Sequence, residues 1–583
     1  MKKLYLMLSM LFAFGAAANA IPAKKLQKVI TLANGTQVSV ELRGDEYLSW
    51  WEGTDGTAYR ATADDAVFEA FDLEAQKPAA AARRARAEQG RVARLARVKN
   101  SLKGADDKMR GLGGDHITYK GVKKGLVVLV DFKNKKFADG HDLEYYKNVI
   151  NGKDFTNEEE GYVGSVRDYF LAQSNGQFEL DFDVVGPVTM SNKYGYYGAD
   201  SEYQKDEKVY EMIKEASDAI QDQVNLKDYD WDGDGEADQV FFLYAGLGQA
   251  SSNNASTIWP HESELRYWPC GVLSYPTGKI NTYACANELQ PETQGSSRYI
   301  SAGIGTICHE FSHCLGFADM YDTSGGGGYG MSVFDVMDQG SYNGNGFVPC
   351  NYTAFERIYA GWVEPIELID PATVKDMKSV SDYGRPFIMY NYKNTNEYFL
   401  MENRQNTGWD EGLYGSNGLL ITHVNYVPSR WANNSVNAST QKIQCCTVVN
   451  ADGSREISNT LSLQGDLYPY ESKGVTMNDE FTDDSEPASK LYNKNTDNSY
   501  ALGIPITQIK RSKGSISFLV CGGDDNNVID NTFNGVVDGI NGVTVAKKTA
   551  DNRIYSIDGR YLGTDASALG KGIYVVGGKK IVK

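Results

Sequence analysis

The chain has 583 residues, 41% hydrophobic and 23% charged, ordinary proportions for roughly four globular domains. A net charge of −18 opposes a nucleic-acid backbone and excludes DNA or RNA binding as the main activity. Beyond the N-terminal stretch no apolar run approaches the ~18 residues that a membrane-crossing helix needs, so none is expected in the mature chain.

Lys2 and Lys3 precede the apolar run Leu4 to Ala18, which ends in the small-residue triplet Ala18-Asn19-Ala20. This pattern predicts a signal peptide over 1–20, cleaved before Ile21, and hence a secreted or cell-surface protein. Next, Val29 to Leu32 and Val38 to Leu42 flank Asn34-Gly35 and predict a β-hairpin. From Ala79 to Arg110 the composition shifts to Ala, Arg and Lys, as in an exposed basic connector open to trypsin-like cleavage. The break at Gly111 to Gly114 then closes a unit spanning 21–112.

A larger unit, 113–365, opens with the continuous apolar run Leu126 to Phe132, the mark of a buried strand. Ser165 to Gln173 reads as a helix stopping near Gly176, and a second amphipathic helix is expected over about 206–224. Strands mixed with helices predict an α+β core. Over 366–521 short strands, among them Tyr398 to Met401, Gly418 to Val424 and Ile516 to Val520, predict a β-sandwich-like domain. The Asp, Asn and Gly-rich stretch from 522 reads as a linker, and the strands Arg553 to Ile557 and Gly572 to Val576 complete a small β module in 522–583.

The strongest chemical signal is His309-Glu310-Phe-Ser-His313-Cys-Leu-Gly316-Phe-Ala-Asp319, which holds two of the chain's six histidines. On a helix His309 and His313 share a face and can reach one Zn²⁺, while Glu310 stands ready to take a proton from a metal-bound water. Gly316 lets the chain turn back and carry Asp319 toward the ion as third ligand, leaving the fourth position open. Glu402 is the runner-up for that place, with His261 and His423 behind it, and Asp319 has its own alternative as a loop carboxylate or a calcium ligand shared with Asp322. Met337 is either a methionine turn beneath the metal or a core residue, and Tyr342 is a candidate to stabilise an oxyanion.

Asp230-Trp-Asp232-Gly-Asp234-Gly-Glu236-Ala-Asp238 alternates acidic residues as a Ca²⁺ loop does. Phe241 stands where an EF-hand has its clamping Glu, and a solvated acidic turn is the alternative. All eight cysteines lie between Cys270 and Cys521, and the sequence selects no pairing among them.

These motifs, with Gly164 to Phe170, Val185 to Pro187, Trp259-Pro-His261 and Tyr398 to Arg404, resemble the immune inhibitor A family of secreted zinc metallopeptidases. The resemblance implies a zincin-type catalytic domain stabilised by calcium, a propeptide before it and a β-rich domain behind it. Phe317-Ala318 departs from the family's Leu-Pro. The last module is similar to type IX secretion sorting domains, which implies that machinery as a partner. The function implied is a zinc-dependent endopeptidase of extracellular proteins and peptides, made as a zymogen. The alternatives are an inactive surface adhesin with structural metals and a cysteine peptidase. Residues 21–110 contain neither Cys nor His, so latency is expected to come from bulk or from a carboxylate such as Asp45 or Asp55.

Overall fold

The computed structural model describes residues 18–62, 66–85, 119–201, 205–293, 296–325, 328–413, 417–439, 442–455, 460–533 and 535, and four C-terminal strands. Residues 1–17 of the expected leader and most of the basic connector lie outside them.

The central sheet is built on four parallel strands. Phe178–Thr189, Gly121–Asp131, Val240–Leu247 and Thr282–Pro291 follow one another across it, and His261–Glu264 is added antiparallel to the last of them. Side-chain alternation splits these apolar strands between two cores. Val127, Leu129, Phe241 and Leu243 join the core that receives Phe311 of helix Gly305–Cys314. Leu126, Val128, Val130, Val240 and Phe242 face the opposite core, with Met212 and Ile213 of helix Val209–Ile220.

Helix Val166–Gln173 starts at Ser165, whose hydroxyl accepts from Asp168 N while the Asp168 carboxylate accepts from Ser165 N. Helix Val209–Ile220 starts later than the pattern suggested, after Asp206 takes a positive φ, and ends at Ile220. Among the described residues no helix is long and apolar enough to cross a membrane.

Before the central sheet lies a five-stranded antiparallel meander from Gln27–Thr31 to Phe68–Ala70, with the predicted hairpin at its start, followed by a helix over 73–85. After it, two sheets enclose a third core. One runs through Phe387–Tyr390, Glu397–Arg404 and Gly418–Asn425; the other pairs Ala372–Met377 with Ser515–Val520. The expected linker starts later than 522. Val528–Ile529 adds to that second sheet in parallel with Ala372–Met377, and buried Asn531 bonds Lys378 N at 2.8 Å. The last strands, Ile554–Ser556, Tyr561–Gly563, Ile573–Val576 and Lys579–Val582, form one small sheet. None of the eight cysteines is in a disulfide.

Helix Gly305–Cys314 is buried along its whole length, wedged between the sheet and the loop Gln339–Gly346. Gly305 is where the two backbones touch, and a Cβ there would fall on the Ser341 carbonyl. Gly305→Ala should therefore unseat the helix, lowering the melting temperature by at least about 5 °C, roughly 2 kcal/mol; a thermal melt followed by circular dichroism checks this.

Candidate metal centre and active-site cleft

The helix ends in a Schellman turn: Phe317 N donates to Ser312 O at 3.1 Å, Gly316 N donates to His313 O at 2.9 Å, and Gly316 takes φ +90°. The reversal brings Asp319 back over the helix. Its Oδ1 stands 3.2 Å from His309 Nε2 and 3.3 Å from His313 Nε2, all three residues being fully buried.

The tautomers are fixed from behind. His309 Nδ1 lies 2.7 Å from Val336 O and His313 Nδ1 lies 2.9 Å from Phe317 O. A carbonyl can only accept, so each Nδ1 carries the proton and each Nε2 presents a lone pair. With both imidazoles neutral, two nitrogen lone pairs and a carboxylate oxygen converge on one point, a set that suits a cation. The donor set N, N, O with a base beside it suits Zn²⁺. Glu310 lies with both histidines in a cluster able to hold an ion. Burial pushes its carboxyl well above the ordinary value, the Ile21 N–H opposes the rise, and Asp319 and Glu46 add to it.

The other candidates for third ligand are engaged elsewhere. Glu402 Oε1 accepts from buried Arg404 at 3.0 Å, and the same guanidinium holds Asp410 and the Phe334 carbonyl. His261 is bonded to Trp259 O and Tyr283 OH, and His423 to Glu397. Asp322 is a loop staple: burial pushes its carboxyl up, and donors from Ser324, Ser439 and Gly328 outweigh that and hold it below its usual range. Met337 is buried in the core, and its carbonyl accepts from Met320 N at 2.8 Å, tying the turn beside His309 to the Asp319 loop.

An extended segment of this same chain lies across the cleft. Ala18–Asn19 pairs antiparallel with His261–Glu264, extending the sheet by one strand. Beyond it Ile21 N donates to Glu310 Oε1 at 2.8 Å. Successive carbonyls are then held by side chains: Ala20 O by Tyr321 OH at 2.8 Å, Ile21 O by Trp259 Nε1 at 3.0 Å, Pro22 O by Tyr342 OH at 2.8 Å and Ala23 O by Gln339 Nε2 at 3.3 Å. Ala20 and Ile21 are fully buried. The expected carboxylate block is corrected accordingly. Asp45 is paired with Arg84, Asp55 accepts from Thr57 N in an exposed turn, and backbone is what reaches Glu310.

In the acidic loop, Asp230, Asp232 and Asp238 bring carboxylate oxygens close enough to share an ion. Asp238 is pushed up to about 7, first by burial and then by repulsion from Asp232, Asp234 and Asp230. The Glu236 side chain is turned away to Arg266 at 2.8 Å, and Asp234 caps Glu236 N. Trp231 Nε1 donates to Lys124 O at 2.8 Å, tying the loop to the central strand.

One residue of the site had no signal in the sequence. Asn434, from the loop after helix Pro428–Ala432, grips Asp319 twice: its Oδ1 accepts from Asp319 N at 2.7 Å and its Nδ2 donates to Asp319 Oδ2 at 2.5 Å. That leaves Oδ1 of Asp319 facing the two histidines. Asn434→Ala should weaken zinc binding about 10- to 100-fold with the fold retained, measured by competition with a chromogenic chelator.

A family model described as "Immune inhibitor A peptidase M6, catalytic domain" matches residues 120–363, the central sheet and the helix with its histidines. The chain is 27% identical over 263 residues to "Pre-pro-metalloprotease PrtV" from two strains of Vibrio cholerae serotype O1, across 39% of this chain and 28% of that protein. It is 26% identical over 319 residues to "Immune inhibitor A" of Bacillus thuringiensis subsp. alesti, across 45% of each chain. The chain thus spans less than half the length of these curated relatives, and what it resembles in them is a metalloprotease core.

Proposed function

We propose that this chain is an exported zinc-dependent endopeptidase, synthesised as a zymogen. The observation that carries the proposal is the placing of Glu310 against a backbone nitrogen of an extended segment, beside two imidazole lone pairs and a carboxylate oxygen. His309, His313 and Asp319 would hold the Zn²⁺, which when bound polarises the scissile carbonyl and acidifies water.

The chain's own groups supply the rest. Glu310 takes the proton of the attacking water and delivers it to the departing nitrogen, and its Oε1 already contacts such a nitrogen at 2.8 Å. The edge strand His261–Glu264 aligns the polypeptide by main-chain pairing, so any extended sequence can enter. Trp259, Tyr342 and Gln339 hold the carbonyls after the scissile bond and exclude water there. An adhesin with structural metals has no use for a base in this position.

In the uncleaved chain the segment from Ala18 to Lys24 fills the groove that substrate would use, and the contacts of Ile21, Pro22 and Ala23 would remain after leader removal, which supports latency; the Vibrio relative's name likewise marks a pre-pro form. Leader removal before Ile21 would leave its nitrogen as an α-amino group on Glu310, strengthening that contact by charge. Release then requires a cut in the basic stretch before Gly111. The acidic loop at Asp230, Asp232 and Asp238 would bind Ca²⁺ and brace the start of strand Val240–Leu247. The last small sheet would serve the type IX export route.

The full chain without its leader should leave casein intact until trypsin cuts within 79–110; the cut enzyme should lose activity to a zinc chelator and regain it with Zn²⁺. Glu310→Gln should keep zinc while kcat falls about a thousandfold. Calcium added back to chelator-treated protein should raise its melting temperature, an effect that Asp230→Ala should abolish.

A further inference from the structure

The extended stretch from Ala18 to Lys24, which joins the expected leader to the prosegment, is a stand-in for substrate, and its contacts show which bond is in register for cleavage. Hydrolysis of a peptide bond forms a bond from water oxygen to the carbonyl carbon and breaks the bond from that carbon to nitrogen. The water proton taken by Glu310 ends on the departing nitrogen. The nitrogen on Glu310 Oε1 is that of Ile21, so the bond in register is Ala20–Ile21, and the oxygen that would gain charge is the carbonyl oxygen of Ala20.

That oxygen accepts a hydrogen bond from a tyrosine. Tyr321 OH lies 2.8 Å from Ala20 O. Tyr342, the candidate chosen from the sequence, donates instead to Pro22 O, two carbonyls further on, where no charge develops. Tyr321 sits two residues beyond Asp319, in the loop that Asp322 staples and Asn437 Nδ2 anchors through Met320 O at 2.7 Å. The hydroxyl is therefore held in place before substrate arrives, the condition under which a donor favours the transition state most.

We propose that Tyr321 is a catalytic residue that donates to the scissile carbonyl oxygen as it becomes an oxyanion, whereas Tyr342 binds substrate backbone downstream of the cut. The Tyr321 proton stays on its own oxygen throughout. This assignment rests on the peptidase function proposed above, with Glu310 as base.

The test uses the full chain, freed of its leader and activated by trypsin, and compares Y321F with Y342F on one peptide substrate. Y321F should lower kcat about a hundredfold or more with KM within about threefold of the parent. Its affinity for a phosphinic peptide, tetrahedral at the cleavage position, should fall by the same factor as kcat/KM, and its affinity for the product-like peptide Ile-Pro-Ala-Lys should hold. Y342F should do the reverse, raising KM with kcat largely kept. A Y321F enzyme within threefold of the parent in kcat, or a Y342F enzyme that loses kcat equally, overturns the assignment. E310Q separates the two levels: if it stays active the peptidase mechanism itself fails, whereas an inactive E310Q beside a fully active Y321F removes only Tyr321. Should Y321F fail to fold, 3-fluorotyrosine placed at position 321 keeps the shape with a more acidic hydroxyl. A change in kcat at unchanged KM and melting temperature supports the role, and no change overturns it.

Discussion

The Nδ1 protons of His309 and His313 are committed to the carbonyls of Val336 and Phe317, and the character of the whole site follows from those two bonds. With the neutral tautomers set, both Nε2 atoms face the Asp319 carboxylate as lone pairs, an arrangement suited to a cation. Both carbonyls belong to loops rather than to the helix that carries the histidines. The helix supplies the spacing, and the surrounding chain decides what the spacing can bind.

Those loops are themselves held from a distance. Buried Arg404, on a strand of the downstream β unit, donates to Phe334 O two residues before Val336, and its charge is met by Glu402 and Asp410. The Asp319 loop is clamped by Asn434 and Asn437 of the same unit. A buried guanidinium with two carboxylates is costly to desolvate, and here it fixes one geometry at the edge of the active site.

The α+β core, the two helices and the first hairpin were legible because their signals are local: continuous apolar runs, helical periodicity, an Asn-Gly turn. The helix turn His309 to Asp319 was legible for the same reason, since Gly316 sits where a Schellman turn needs it. What escaped depends on chain folding over long separations. Asn434 is 115 residues from Asp319, and nothing in its neighbourhood marks it. Asp45 and Asp55 were plausible blocking groups by charge alone, yet one is matched by Arg84 and the other closes its own turn. Glu236 fits the alternation of the acidic loop but is drawn off by Arg266, on a separate strand connection. Tyr321 and Tyr342 look alike as residues, and only the path of the prosegment tells them apart.

The clamp at Asn434 also sets where this chain can be divided. A cassette ending near Val363 would carry the helix, the histidines, Glu310 and Asp319, and so would retain every residue that a motif search scores. It would lack both the asparagine that aims Asp319 and the arginine that steadies Phe334. In this architecture recombination or truncation at the apparent boundary would separate His309, His313 and Asp319 from the scaffold that aligns them, so the heritable structural unit is longer than the unit of recognisable sequence.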